Sequence, residues 1–268
     1  LIGSTPRHEI PVLNARLRQR WLTNKCKVAN VGPDVDLSYK VGQLGDSAAI
    51  LQDILDGKND FAETLKSAEK PMLILGQGAL NRDDSAHIIK LAHDIADKYE
   101  FVSGDWNGFN VLHTAASRVA ALDMGLVTDG GVEGILSGAE SGDVKVIYNL
   151  GADEVDRNRL KKAFVIYQGS HGDEGVRSAD VVLPGVAYTE KPGTYLNTEG
   201  RVQKAQRAIF GPGEAREDWT IFRALSEVIG KTLSFDDIAE LRAAMTKDYP
   251  AFAQLDRKPT APWADIGV

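Results

Sequence analysis

The stretch "AFVIYQGSHGDEGVRSADVVLPG" (163–185) carries the decision about the fold. Two short apolar runs, 163–169 and 179–185, each end in glycine, with a polar segment between them. Neither run alternates apolar with polar residues, as a strand with one wet face would. Continuous apolar strands of this length are at home in parallel sheets covered by helices on both faces.

Working outward, the same kind of run recurs in "KVANVG" (27–32), "PMLILG" (71–76) and "VKVIYNLG" (144–151). Helix-period segments lie between the runs: 11–24, 47–56, 60–68, 84–99, 109–124, 217–229 and 235–248. The glycine-rich "TDGGVEGILSGAESGD" (128–143) predicts a short helix and a flexible surface loop. Alternation of β and α predicts a doubly wound, mostly parallel α/β architecture. The reading divides it into a first α/β lobe over 1–142, a second over 143–232, and a C-terminal helix with an extended tail over 233–268. The Pro-rich end, "DRKPTAPWADIGV" (256–268), reads as an extended arm or disordered segment. "LIGSTPR" (1–7) reads as the last residues of a strand entering its loop, so the sequence is expected to be a piece of a longer protein.

A chain of 268 residues with a formal net charge of −7 argues against a polyanion-binding surface, which needs clustered Lys and Arg. The longest basic cluster, "NARLRQRW" (14–21) with Arg16, Arg18 and Arg20, is interleaved with apolar residues and reads as the polar side of an amphipathic helix. A single cysteine, Cys26, excludes an intramolecular disulfide and an iron–sulfur cluster built within this chain. It reads as a small packed residue, with a nucleophile as the alternative. No apolar run approaches the ~18 residues a membrane-spanning helix needs.

Gly76 and Gly78 in "LILGQGALN" follow a strand and precede a helix, where backbone amides can cradle a phosphate. The fingerprint is incomplete, because Asn81 stands at the third glycine position, and a tight strand-to-helix turn is the competing reading. His171, Asp173 and Glu174 in "YQGSHGDEG" (167–175) sit where open α/β sheets bind ligands, but their spacing matches no metal pattern. His87 and His93, six apart, do not share a helical face, and structural roles are expected for all these histidines.

The run "SADVVLPGVAYTEKPGTYLNTEGRVQ" (178–203) resembles a signature of the molybdopterin-dependent oxidoreductases. "LIGSTPRHEIPVLNARLRQ" (1–19) is similar to that family's earlier strand–loop–helix unit, with Ser4 and Thr5 in the loop and Thr5 where Asn is usual. "AREDWTIFRALSEVIG" (215–230) resembles the helix that follows the signature. Within the superfamily, "ILQDILDGKNDFAETLKSAEKPMLILGQGAL", "DVDLSYKVGQLGDS" and "HTAASRVAALDMG" resemble the large iron–sulfur G subunits of respiratory NADH:quinone oxidoreductases (complex I).

The resemblance implies two lobes of molybdopterin-oxidoreductase type in a structural segment, with no catalytic, cofactor-binding or metal-binding residue. Iron–sulfur clusters are expected in a Cys-rich N-terminal part that this sequence lacks. Cys26 is outside the family's metal-ligand context, and only a short segment follows Gly230 where molybdoenzymes place a further barrel. The implied partners are other peripheral-arm subunits, with neither nucleic acid nor membrane insertion. The implied location is the cytoplasmic or matrix face of the inner membrane. For 187–203 the expectation is a former ligand loop kept as a latch or subunit contact, with Lys191-Pro192-Gly193 as a turn. Glu190, Asn197, Glu199 and Arg201 are expected to form one polar network there. The alternatives are a working molybdopterin oxidoreductase or its fragment, and a free-standing nucleotide-binding protein using Gly76 and Gly78.

Overall fold

The computed structural model describes residues 1–24, 26–116 and 118–257. The tail read above as an arm lies outside them from residue 258 onward. The chain forms two compact units, one spanning Leu1–Arg118 and one beginning at Val119.

The first unit contains α1 (Pro6–Glu9), α2 (Pro11–Asn24), β1 (Ala29–Val31), β2 (Gly42–Gly45), α3 (Ala49–Asp56), α4 (Phe61–Lys66), β3 (Leu73–Leu75), α5 (Gln77–Leu80) and α6 (Ser85–Lys98), then a small hairpin of β4 (Val102–Ser103) and β5 (Trp106–Asn107), and β6 (Phe109–Val111). β1 pairs with β2 and β3 with β6, both parallel. Ile2 bridges Val31 on one side and Leu75 on the other, also in parallel, so the opening "LIG" is the strand fragment that joins the two pairs.

α6 shows why this sheet is covered. Its buried residues Ile88, Leu91, Ala92, Ile95 and Ala96 recur at helical spacing and make one apolar stripe. That stripe packs with Leu51 and Ile54 of α3 on Ile2, Val31, Leu73 and Leu75 of the sheet. Each large side chain so buried contributes roughly 1.5–3 kcal/mol. Gly57, in the left-handed region at φ +79°, ends α3.

The second unit contains α7 (Arg118–Asp123, Arg118 belonging to the first unit), α8 (Gly131–Ser141), β7 (Val146–Leu150), β8 (Phe164–Gly169), β9 (Val181–Pro184), the hairpin of β10 (Gly193–Leu196) and β11 (Val202–Ala205), α9 (Asp218–Val228) and α10 (Ile238–Asp248). β7, β8 and β9 form a parallel sheet in that order. Ile147 and Val165 share one face and pack with Leu136 of α8 and Leu160. Tyr148 and Gln168 point to the other face, toward Phe222 and Asp218 of α9. Helices on both faces of a parallel sheet are the doubly wound α/β arrangement expected.

Three local expectations give way to the structure. The helix predicted over 109–124 is a strand at Phe109–Val111 and a helix only from Arg118. Gly108 lets that strand start, since a Cβ there would lie 2.1 Å from the Pro71 carbonyl oxygen. The stretch 128–143 is a full helix of 11 residues, α8, ended by Gly142 at φ +91°. Finally, the compact units part after Arg118, where the sequence reading drew its line at 142. α8 packs with the strands that follow it, and Arg159 grips both Glu133 and Glu140 of that helix at 2.7 and 2.8 Å.

Candidate functional site

Open parallel sheets present ligands to the carboxyl ends of their strands. In the second unit those ends are Tyr148 and Leu150, Gln168 and Gly169, and Pro184 and Gly185. Gln168 has no exposed surface, so both ends of its carboxamide need partners inside the protein. The Tyr148 hydroxyl donates to Gln168 Oε1, and Gln168 Nε2 donates to Asp218 Oδ1 at 2.8 Å. Lys191 Nζ closes the row by donating to Asp218 Oδ2. Asp218 lies in the first turn of α9, where the helix dipole favours a negative charge. A Cβ on Gly185 would come within 3.0 Å of Asp218 Oδ1, so glycine keeps the end of β9 close to this row. Burial, with the Asp218 carboxylate adding to it, pushes the Tyr148 hydroxyl above its ordinary pKa, so it remains a donor.

The stretch 187–203 is two devices. Lys191-Pro192-Gly193 turns the chain from a short 3₁₀ segment into β10, and in doing so aims Lys191 at Asp218. Asn197, Glu199 and Arg201 come together in the β10–β11 turn. Asn197 Oδ1 accepts from the amides of Glu199 and Arg201 at 2.9 and 3.0 Å. Gly200 takes φ +77°, and the Arg201 guanidinium reaches Glu199 at 3.3 Å and the Asp256 carbonyl at 2.5 Å. The Asp256 amide in turn donates to Val202 O at 2.8 Å, so the turn holds the segment after α10. Glu190 does not join this cluster. Its Oε2 accepts from the Ala187 amide at 2.9 Å.

The other predicted candidates do not converge. His171 is exposed and meets Ser170 at 2.9 Å, while Glu174 pairs with Arg177 at 2.9 Å and Arg157 at 3.6 Å, and Asp173 is exposed beside them. His87 is exposed on α6, and His93 faces Asp97 at 3.4 Å. Cys26 is exposed in the connection between α2 and β1 rather than packed. Among the described residues no three His, Cys, Asp or Glu side chains are arranged to hold a metal ion. Gln168, Asp218 and Tyr148 were not singled out from sequence. The available signal was a polar residue, Gln168, inside an otherwise apolar strand.

In the first unit, the glycines at the strand ends serve backbone packing. Gly76 and Gly78 donate their amides to the carbonyls of Ile2 and Gly3 at 2.9 and 3.1 Å. A Cβ on Gly76 would lie 2.4 Å from the Gly3 oxygen, and one on Gly3 would lie 2.4 Å from the Ala79 nitrogen. In the loop between them, Glu9 holds the Ser4 hydroxyl and the Thr5 amide, each at 3.0 Å. A cavity of about 60 Å³ remains beside Gly3, Gly32, Ser47 and Arg82. That is room for a water or two, against the roughly 300–1,000 Å³ of ordinary ligand sites.

A family model described as molybdopterin oxidoreductase matches residues 1–228. The chain is 47% identical over 96% of its length to the mitochondrial 78 kDa subunit of NADH-ubiquinone oxidoreductase from Candida albicans, covering 34% of that protein. It is 43% identical over 90% of its length to the 75 kDa subunit from Reclinomonas americana, covering 35% of it. It is 40% identical over 96% of its length to the G subunit of the NADH-quinone oxidoreductase from Rickettsia bellii, covering 37% of it. The chain thus spans about a third of the length of these curated relatives.

The polar groups at these strand ends have partners within the protein. Both Asp218 oxygens are engaged by Gln168 and Lys191, the Gly76 and Gly78 amides are spent on carbonyls, and Cys26 stands apart on the surface.

Proposed function

The chain belongs to the molybdopterin oxidoreductase family, and from that premise we propose that it is a structural, cofactor-free segment of the G subunit of an NADH-quinone oxidoreductase (complex I). The observation that carries this reading is the 40–47% identity, over nearly the whole chain, to subunits of that enzyme. The complete enzyme would pass electrons from NADH through iron–sulfur clusters to quinone, coupled to proton translocation, and none of those steps falls to residues here. In this reading the Tyr148–Gln168–Asp218–Lys191 row fills the crevice at the strand ends from within. Every polar group in the row then has a protein partner, which favours rigidity over ligand exchange. The β10–β11 turn holds the segment after α10 in the same way.

The partners proposed are other peripheral-arm subunits, at the cytoplasmic or matrix face of the membrane. None of the helices, among the described residues, is long and apolar enough to cross a bilayer.

The test is a native gel of mildly solubilised membranes, probed for this polypeptide and stained for NADH dehydrogenase activity. Migration in the large active band is expected, with no molybdenum above background in that band. A small molybdenum-containing species would instead favour a molybdopterin-dependent oxidoreductase, the reading that the family match alone would allow.

A further inference from the structure

α2, Pro11–Asn24, is the most basic element of an acidic chain. Its sequence, PVLNARLRQRWLTN, holds Arg16, Arg18 and Arg20 and no carboxylate, whereas the chain as a whole carries −7. Asn14 is buried, Leu13, Leu17 and Trp21 are half-buried, and the rest of the surface from Pro11 to Thr23 is exposed, the three arginines included. Val12 is 74% exposed at one end of the helix and Leu22 54% at the other. Val12, Arg16 and Arg20 follow one another at four-residue spacing and form one outward stripe, with Gln19 beside it.

The arrangement works against the helix on its own. Like charges at i,i+4 repel, and no acidic residue on α2 offsets them. Neither Arg16 nor Arg18 forms an ion pair with a carboxylate among the described residues. The other long helix of this unit, α6, balances its charge, pairing Lys90 with Asp94. All three cations are arginine, which is less strongly hydrated than lysine, grips carboxylates with two parallel hydrogen bonds and is enriched at protein interfaces.

We infer that the outer face of α2 docks an acidic segment of a neighbouring protein chain. Its carboxylates would be spaced about one helical turn apart, and its apolar residues would cover Val12 and Leu22. The inference rests on the reading that this chain works inside a larger assembly, and it adds the surface and the chemistry of the partner.

The test uses the full-length subunit in its native membranes, with Gln19→p-benzoylphenylalanine as the photo-crosslinking probe. One protein adduct is expected, mapped to a peptide rich in Asp and Glu. Arg16→Glu should lower the adduct yield about tenfold, because carboxylate would then face carboxylate. Lys231→Glu, on an exposed position outside α2, should leave it unchanged. The carboxylate introduced at position 16 lies one turn before Arg20, a favourable pairing, so an unchanged Tm separates lost docking from lost folding. Adducts only with lipid or nucleic acid, no protein adduct, or a yield indifferent to the reversal would overturn the inference. An acidic-peptide adduct formed outside any NADH-oxidising band would sink the complex I reading and leave this one standing.

Discussion

In the first unit, the loops that follow Ile2 and β3 meet backbone to backbone, with Gly3, Gly76 and Gly78 in contact and their amides used. In the second unit the strand ends are spanned by side chains, from Tyr148 through Gln168 and Asp218 to Lys191. Both tie the polar groups at their strand ends to partners inside the protein, but they should fail differently. Backbone contact tolerates no added atom, while a side-chain row tolerates a change of shape if its polar ends stay paired.

The strongest way to break this contrast is Gly76→Ala. The new Cβ would sit 2.4 Å from the Gly3 oxygen and 2.6 Å from the Ser4 Cβ, so one of the two loops must move. A cost of about 3 kcal/mol is expected, at the upper end for overpacking. Hydrogen exchange should show lost protection in β1 and β3 while β7 to β9 stay protected. Equal loss in both sheets would mean that the two devices are not independent.

Gln168→Leu is the matching change in the second unit. It keeps the bulk but leaves the Tyr148 hydroxyl and one Asp218 oxygen without their partner. A loss of about 2–3 kcal/mol is expected, because unmet buried polar groups cost more than a made hydrogen bond contributes. Protection should fall here in β7 to β9 alone. Lys191→Met should cost less, about 1 kcal/mol, since Lys191 and Asp218 keep roughly a quarter of their side-chain surface in water. Combining it with Asp218→Asn should recover part of that loss, and strict additivity in this double-mutant cycle would show that the pair is not coupled.

How far the sequence spoke for itself differs between the two regions in the same sense. β7, β8 and β9 were legible because continuous apolar runs ending in glycine have few other readings. β6 was not, because its three residues run directly into a helix-forming segment and the periodicity of the longer element absorbs them. The Asn197–Glu199–Arg201 turn was readable because its partners are two to four residues apart. Lys191 and Asp218 are 27 residues apart, and Tyr148 and Gln168 are 20 apart. Only the folded sheet brings such groups together, so Lys191 read as part of a turn and Gln168 as part of a strand.

The smallest effect concerns α8, the helix of the second unit that precedes its parallel sheet. Arg159 holds Glu133 and Glu140 of α8, and its guanidinium draws the Glu133 pKa from 4.5 down to about 2. A carboxylate whose folded pKa lies below its unfolded value binds protons more readily when unfolded, so stability rises with pH across that interval. The contribution is therefore complete above pH 4.5 and fades as pH falls toward 2. Solvent screening keeps it small, since the Glu133 side chain is 70% exposed. Denaturant midpoints between pH 5 and pH 3, about the range of the shift, should fall less steeply in Glu133→Gln than in the native chain. Protection should change in α8 and β7 and not in β1 or β3. An identical slope in both proteins would mean that Glu140 alone secures Arg159, and that α8 belongs to the second unit through Leu136 and Ala139 rather than through its charges.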